Sequence, residues 1–214
     1  MKTVSLAEAK AHLSELVERA AAGQAVCITR RGKALAQITA IDRPRKQIDV
    51  AALRAITSAM PTQPEGARFY SSDARSRPLL MLYLNTSLLI AVLTNEAETE
   101  RMQTWLGGQP PDDLAVSDWV ATGLSSALAI KMRTGQIGVD YRADALAGFA
   151  RLATDSFAVV PVSRRHFRSV ARFADQYALG LRAGDVLHLA ICADHGATLC
   201  TFDDRLARAG ASLE

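Results

Sequence analysis

The stretch that decides the fold is Met81-Leu82-Tyr83-Leu84-Asn85-Thr86-Ser87, near the middle of a chain of 214 residues. Its apolar run, residues 82–84, predicts a short buried strand. The polar Asn85 ends that strand, and Thr86-Ser87 predicts the start of a helix. A strand that runs directly into a helix is typical of a parallel α/β unit. We therefore expect a second, separately folded part to begin near Met81.

Downstream of this stretch, apolar runs alternate with helical patterns. The strand-like runs cover 82–84, 114–116, 157–162 and 198–202, and the helical patterns cover 117–132, 140–153, 163–178 and 183–193. This alternation predicts an α/β sandwich with a mainly parallel sheet. In such sheets, functional residues gather beyond the carboxyl ends of the strands. Asn85 and Asp203 fall at two of those ends.

The first 40 residues predict a smaller unit, a helix followed by a β-hairpin. Ser5 and Glu8 have the spacing of a capping box at the start of the helix. Strand-like runs at 26–29 and 34–39 flank the turn Arg30-Arg31-Gly32-Lys33. A unit of this size buries little core by itself, so we expect it to dimerise.

Charge and cysteine content narrow the class of protein. Residues 1–80 carry 13 lysines and arginines against 7 acids, whereas residues 81–214 carry 12 against 15. This asymmetry suggests that a basic, anion-binding N-terminal part is joined to an acidic C-terminal part of a different kind. Three scattered cysteines argue against a disulfide framework or a zinc site. No apolar run reaches the roughly 18 residues that span a membrane, and the expected location is the cytoplasm.

Two segments of the N-terminal unit carry a family resemblance. They are Ala7-Glu8-Ala9-Lys10-Ala11-His12-Leu13-Ser14-Glu15-Leu16 and Ile28-Thr29-Arg30-Arg31-Gly32-Lys33. With the rest of residues 4–40 they resemble the Phd/YefM family of antitoxins. The resemblance implies a DNA-binding dimer, formed by residues 1–44, that represses its own operon.

Basic side chains on a tight turn can bind phosphates and base edges of operator DNA. The candidate DNA contacts are Lys2, Arg30, Arg31 and Lys33. A turn that is merely solvated is the alternative.

Residues 45–80 connect the two parts and hold too little apolar sequence to fold alone. An amphipathic helix is predicted over 48–56, and the chain beyond Pro61 is predicted to be extended. In antitoxins of the resembled family, this region wraps the toxin and places a basic residue in the acidic active site. Arg68 and Arg75 are the candidates for that residue. A plain flexible linker is the alternative.

Four blocks of sequence after residue 80 carry a second resemblance. They are Leu82-Tyr83-Leu84-Asn85-Thr86-Ser87, Ser117-Asp118-Trp119-Val120, Leu181-Arg182-Ala183-Gly184-Asp185-Val186-Leu187-His188-Leu189-Ala190 and Thr201-Phe202-Asp203-Asp204-Arg205-Leu206. Residues 81–214 resemble VapC-type toxins, which are PIN-domain endoribonucleases that use Mg²⁺ or Mn²⁺. The resemblance implies four acids that converge to hold hard metal ions, which prefer carboxylate oxygens.

Two of those four positions are not acidic in this chain. Asn85 stands at the end of the first strand, and Gly123 stands inside the helix of the second block. Asp185 and Asp203 remain as catalytic and metal-ligand candidates. Asn85 keeps one acceptor oxygen but lacks a charge, so we expect cleavage to be lost or weak. Close packing is the alternative reason for a glycine at 123.

Several other polar residues have a structural explanation beside a functional one. His188, one turn after Asp185, is expected to support the site from the core rather than to bind metal. Asp118 and Asp204 could assist a metal ion. Four arginines could contact RNA phosphates or simply form a solvated helix face; they are Arg164, Arg165, Arg168 and Arg172.

Three hypotheses for the whole chain follow. The first is a toxin–antitoxin fusion that binds operator DNA and has an attenuated ribonuclease half. The second is an active endoribonuclease, dependent on Mg²⁺ or Mn²⁺, that residues 45–80 inhibit in cis. The third is a relic with neither activity. Because both resembled families dimerise, we expect a homodimer or homotetramer.

Overall fold

The computed structural model describes residues 2–39, 44–63, 69–71 and 81–213 of the chain. The chain divides into two compact units, Met1–Pro44 and Arg45–Glu214. In the described ranges, no helix is long and apolar enough to cross a membrane. The two candidates for blocking the active site, Arg68 and Arg75, lie outside the described residues.

The first unit is a three-stranded sheet with two short helices. Its elements are β1 (Lys2–Ser5), α1 (Leu6–Ala11), α2 (Leu13–Ala21), β2 (Val26–Arg30) and β3 (Lys33–Ile38). Strand β2 lies in the middle of the sheet, with β1 parallel to it and β3 antiparallel. The buried core of this unit is small and is centred on the cluster of Val4, Ala9, Leu16 and Val26.

This unit contains the predicted helix and hairpin but differs from the prediction in two respects. The additional strand β1 is too short, with Val4 as its one buried residue, to show a period in the sequence. The helix is interrupted at His12, whose φ of −124° and ψ of 28° are not helical. The capping box is confirmed, since Ser5 N–H donates to the Glu8 carboxylate at 2.8 Å and Glu8 N–H donates to Ser5 Oγ at 3.2 Å.

The second unit is a five-stranded sheet covered by helices. Its strands are β4 (Tyr70–Ser71), β5 (Leu82–Leu84), β6 (Leu114–Ser117), β7 (Ala158–Val160) and β8 (Thr198–Thr201). Its helices are α3 (Val50–Ser58), α4 (Thr86–Leu93), α5 (Thr99–Gly107), α6 (Asp118–Arg133), α7 (Val139–Asp155), α8 (Arg164–Ala174), α9 (Ala183–His195) and α10 (Asp204–Leu213). Single-turn 3-10 helices at Pro111–Asp113 and Tyr177–Leu179 precede β6 and follow α8.

The sheet order is β4-β8-β5-β6-β7, with the last four strands parallel and β4 antiparallel. The predicted α/β sandwich with a mainly parallel sheet is therefore confirmed. Every residue of β5 and β6 is buried, as expected of strands covered by helices on both faces. Asn85 N–H donates to Cys200 O at 2.9 Å, so β5 and β8 end side by side.

Residues 45–63 belong to the second unit and pack on its helices. Asp49 caps the N-terminus of helix α3, and its carboxylate accepts from Ala52 N–H at 3.0 Å. Leu53 is only 3% exposed, and Gln63 N–H donates to Asn95 O at 2.7 Å. Over these residues, the connector is part of the fold rather than a free linker.

Further along the connector, Phe69 packs against two aromatic rings. Its ring centroid lies 5.0 Å from that of Trp105 and 5.6 Å from that of Phe202. Tyr70 and Ser71 then pair with β8 as the antiparallel edge strand β4. The connector thus contacts the strand that leads to Asp203.

Candidate functional site

A cleft of about 750 Å³ opens at the carboxyl ends of β5 and β8. The four predicted site positions all line it: Asn85, Gly123, Asp185 and Asp203. They come from the start of α4, the middle of α6, the first turn of α9 and the loop before α10. The topology therefore brings together residues that are far apart in the chain.

The side-chain oxygen of Asn85 is already used inside the protein. Asn85 is 5% exposed, and its Oδ1 accepts from the backbone N–H and the hydroxyl of Ser87, both at 3.0 Å. Because a backbone N–H can only donate, these bonds fix which way the amide group is turned. The amide nitrogen, which offers two donors and no acceptor, is left for the cleft. The acceptor oxygen expected at Asn85 is therefore present and is used by Ser87.

Gly123 lies directly against Thr86. A Cβ added at Gly123 would overlap Thr86 Oγ1 and lie 3.3 Å from Thr86 Cβ and Cγ2. Thr86 Oγ1 is buried and lacks a hydrogen-bond partner among the described residues. The glycine allows α6 to approach the first turn of α4, in agreement with the close-packing explanation. Thr86 also fills the space through which an acidic side chain at 123 would have to pass.

Asp185 is half-buried in the first turn of α9. Burial raises its pKa above the ordinary 3.8, and the negative charge of Asp203 raises it further. A backbone hydrogen bond from Arg182 and the guanidinium charges of Arg182 and Arg205 act in the opposite direction. The cleft therefore contains two neighbouring carboxylates with two arginines close by.

Asp203 is connected to Asn85 through two hydroxyl groups. Asp203 N–H donates to Thr201 Oγ1 at 3.0 Å, and Thr201 Oγ1 lies 3.1 Å from Ser87 Oγ. The Ser87 hydroxyl in turn donates to Asn85. Asp203 Oδ1 accepts from Leu206 N–H at 3.0 Å and so caps α10. One of the two carboxylate oxygens of Asp203 is thus used to begin a helix.

Three further acids line the cleft, Glu96, Glu98 and Asp204, and sequence reasoning missed the first two. Glu96 and Glu98 follow shortly after α4. Glu96 pairs with Lys131 at 2.8 Å, and the two side chains are 17% and 15% exposed. Glu98 pairs with Arg101. In the sequence, Glu96 and Glu98 are recognisable only as two acids within three residues. That pattern is also typical of a surface loop, so it does not indicate a site.

His188 supports the cleft from inside the protein. It is 6% exposed, and its Nδ1 lies 3.1 Å from the Tyr83 hydroxyl, which lies 2.6 Å from the Ser117 hydroxyl. Burial lowers the pKa of His188 to about 4, so the imidazole is neutral at pH 7. Burial raises the pKa of Tyr83. The network fits the supporting role expected for His188.

The four predicted positions alone do not supply the ligands of a tightly held divalent ion. Such ions prefer carboxylate oxygens, and only Asp185 and Asp203 supply them among the four positions. Asn85 offers N–H donors, and Gly123 offers no side chain. In the part of the chain that the structure describes, the one group of three potential ligands that converges lies outside the cleft lining: His166, Asp194 and His195.

The candidate DNA contacts of the first unit fall into two places. Arg30, Arg31 and Lys33 are exposed around the turn between β2 and β3, where Arg31 has a φ of 52°. Lys2 pairs with Val26 at the opposite end of β2. Four residues of strand separate the two places by about 13 Å. The structure therefore brings three of the four residues together and sets Lys2 apart.

Comparisons with known proteins bear on both units. The PIN domain profile matches residues 82–212, and the profile of the antitoxin Phd_YefM family of type II toxin–antitoxin systems matches residues 1–72. The antitoxin match thus extends through α3 and β4. No curated protein matches the chain.

Among solved structures, the chain is similar to VapC20 of Mycobacterium tuberculosis, described as a sarcin–ricin loop cleaving toxin. The two share 20% identity over 60% of this chain and 95% of that one, with a TM-score of 0.49. Ribonucleases of the PIN and VapC type generally use divalent metal ions. Because the PIN match covers more than half of the 214 residues and the antitoxin match covers the N-terminal part, the chain belongs to the PIN domain family and is a fusion of a Phd/YefM antitoxin region with a PIN toxin domain.

Proposed function

We propose that this fusion is a self-neutralised toxin–antitoxin protein in which nucleic-acid binding remains and RNA cleavage is strongly attenuated. The observation that carries the proposal is the composition of the cleft. Asn85 turns an amide nitrogen toward it and Gly123 supplies no side chain, where active relatives of the resembled family carry acids. The loss of two carboxylates of four removes much of the charge that holds a catalytic cation.

The packing of the connector supports the neutralised state. Helix α3 is buried through Leu53, and Phe69 contacts Phe202, which lines the cleft next to Asp203. Because the connector is covalently attached to the PIN domain, its local concentration around that domain is on the order of mM. A buried helix and an aromatic contact at the rim of the cleft suit an inhibitor that stays bound.

Reversion of the cleft tests the attenuation. We would compare cleavage of a mixed-sequence RNA, with Mg²⁺ or Mn²⁺, by the full-length wild type, Asn85→Asp and the triple variant Asn85→Asp/Thr86→Ala/Gly123→Glu. Thr86→Ala is included because Thr86 blocks a larger residue at 123. We expect cleavage in the triple variant and its loss on adding Asp185→Asn.

Inhibition in cis is the competing explanation for a silent wild type. The variant Gly107→Val would displace Val50 and so disturb the packing of α3 on the rest of the unit. If it cleaves RNA while Asn85 and Gly123 are unchanged, and Asp185→Asn abolishes that cleavage, the attenuation proposal fails in favour of an inhibited enzyme. If the triple variant cleaves no RNA even when Gly107→Val is added, the residues at 85 and 123 are not the reason that the wild type lacks cleavage.

Operator binding is the second part of the proposal. The supporting observation is the exposed basic turn, with Arg30, Arg31 and Lys33 side by side. Because the three cysteines are scattered and buried rather than arranged as a disulfide framework, the reducing cytoplasm remains the proposed location.

Arg31→Asn is a clean test of DNA binding, because asparagine tolerates the positive φ at this turn and carries no charge. We expect weaker binding to the DNA upstream of the gene and a shallower dependence of affinity on salt. Lys10→Gln, on the exposed side of α1, is the matched control. If the wild type, Arg31→Asn and Lys10→Gln bound the DNA with equal affinity, Arg31 and its turn would not be the DNA contact.

A further inference from the structure

Helix α8 carries a stripe of arginines that the proposed function does not use. Arg164, Arg168 and Arg172 are all exposed and follow one another at intervals of four residues. Side chains at this spacing share one face of a helix and lie about 6 Å apart along its axis. Residues 156–184 contain five arginines and one acid, in a C-terminal part whose net charge is −3.

A histidine anchors α8 firmly on α9. His166 is 2% exposed, its Nδ1 accepts from Ser163 N–H at 3.1 Å, and its Nε2 lies 3.0 Å from Asp194 Oδ2. Because Nδ1 is an acceptor, the proton of the neutral ring lies on Nε2 and is donated to Asp194. Both ring nitrogens are therefore used, which argues against a metal ion bound here.

Asp194 also pairs with Arg165, at 3.4 Å. By contrast, Arg164 and Arg168 have no carboxylate partner in the described part of the chain. The guanidinium of Arg172 lies 5.4 Å from the centroid of the Phe173 ring. The three arginines of the stripe are thus held on a rigid helix, with their charges available to an anion.

Exposed aromatic rings accompany the stripe. Phe167, between Arg164 and Arg168, is 58% exposed, and Tyr177 in the 3-10 turn after α8 is 92% exposed. A single exposed aromatic ring needs no explanation. Rings interleaved with unpaired arginines, however, are the pattern of surfaces on which unpaired bases stack.

The stripe leads toward the cleft. After Tyr177 the chain passes Gly180, whose carbonyl oxygen accepts from Arg205 at 3.2 Å. It then reaches Arg182, and both arginines lie near enough to Asp185 for their charges to act on it. Phosphates bound along α8 would therefore continue into a region of positive charge beside the two remaining carboxylates.

We propose that Arg164, Arg168 and Arg172, together with Tyr177, form a track that binds single-stranded RNA and directs it into the cleft. The track rests on the proposed function in one respect, namely that the cleft accepts RNA. Single-stranded RNA is favoured over a duplex because only unpaired bases can stack on Tyr177. It is favoured over an acidic protein surface because the arginines repeat evenly along the helix.

The test uses full-length protein in EDTA, so that no cleavage occurs, with a labelled short RNA and a DNA duplex as probes. Every protein carries Arg31→Asn to reduce binding by the first unit. The track variant is Arg164→Gln/Arg168→Gln/Arg172→Gln. Its matched control removes the same charge from α6 and α7, through Arg133→Gln, Arg142→Gln and Arg151→Gln. Tyr177→Ala and Tyr177→Phe test stacking.

We expect the track variant to bind the RNA about 100-fold more weakly at roughly 0.1 M salt, because each lost phosphate contact removes about 0.7 from the slope of log affinity against log salt. The control triple should change affinity little. Tyr177→Ala should weaken RNA binding roughly tenfold, and Tyr177→Phe should restore it. Binding to the duplex should not respond to Tyr177→Ala.

Equal losses in the track and control variants would overturn the proposal, since binding would then follow net charge alone. An unchanged track variant would identify α8 as a solvated face. A loss of duplex binding as large as that of RNA binding, with no effect of Tyr177→Ala, would overturn the assignment to single strands. The reversion experiment on Asn85 and Gly123 reads cleavage separately, so the track can fail while the attenuation stands.

Discussion

Thr86 occupies the space that the first side-chain carbon of residue 123 would need. This contact between α4 and α6 links the two departures at the cleft, because Thr86 is the immediate neighbour of Asn85. The glycine at 123 therefore fits the packing of the two helices, and a larger residue at this position alone would strain the contact.

A double-mutant cycle measures that strain. In a helix interior alanine is favoured over glycine by about 1 kcal/mol, so Gly123→Ala should stabilise the protein by about that amount once Thr86→Ala has made room. With Thr86 present, we expect Gly123→Ala to lower the free energy of unfolding by roughly 1 kcal/mol or more through overpacking. Urea unfolding of the four proteins gives the coupling energy. Additive effects would show that Thr86 moves aside without cost.

The buried imidazole of His188 predicts a specific dependence of stability on pH. Burial lowers the pKa of His188 from 6.5 to about 4. Between these values the unfolded chain binds a proton that the folded protein excludes, so stability falls as the pH is lowered through this window. The total loss is on the order of 3 kcal/mol.

We therefore expect His188→Gln to flatten the stability profile between pH 6.5 and about 4. Chemical unfolding at a series of pH values measures this slope for wild type and variant. His195→Gln, at the exposed end of α9, is the control and should keep the wild-type slope. The same slope in all three proteins would rule out His188 as the source.

The adjacent residues Gly107 and Gly108 allow a matched test of how α3 packs on the rest of the unit. A Cβ at Gly107 would overlap Val50 Cγ2, whereas a Cβ at Gly108 would meet Trp105 O at 3.4 Å, an ordinary contact. We expect Gly107→Val to raise hydrogen exchange in α3 and Gly108→Val to leave it near the wild-type rate. Peptides covering residues 50–58, followed by mass spectrometry, report the difference. Unchanged exchange in Gly107→Val would mean that Val50 does not hold this end of α3.

The exposed apolar side chains of the first unit predict a dimer interface. Leu13 and Val17 lie on one face of α2 and are 52% and 48% exposed, and Leu35 on β3 is 56% exposed. With so small a core in this unit, we expect Val17→Asp to lower the molar mass measured by light scattering. Ile130→Asp, at a similarly exposed position on α6, should not lower it. A wild type that is already monomeric at working concentrations would contradict this interface.

In the second unit, the parallel strands could be predicted from the sequence, but the two-residue edge strand β4 could not. The structure has β5 at the predicted residues, because a parallel strand buried on both faces is a continuous apolar run. The predicted strand at 157–162 is shorter, at Ala158–Val160, because Phe157 N–H donates to Leu152 O and Pro161 has no N–H to donate. Strand β4 has two residues and therefore no period to detect.

At the cleft, the positions were predictable and their chemistry was not. The spacing of strand ends and the family resemblance located Asn85 and Asp203. The orientation of the Asn85 amide depends on donors two residues along the chain, and the fit of Gly123 depends on how two helices cross. Neither follows from residue type, because both are decided by packing distances.

The two-residue strand β4 has a consequence for solubility. It covers the side of β8 that would otherwise be the outer edge of the sheet. An uncovered strand presents unpaired N–H and C=O groups on which another chain can build. Displacement of β4 would therefore expose an edge of the sheet at which strands of different molecules can exchange. In this fusion, the pairing of β4 therefore protects β8 from strand exchange, and loss of that pairing would expose the sheet to aggregation.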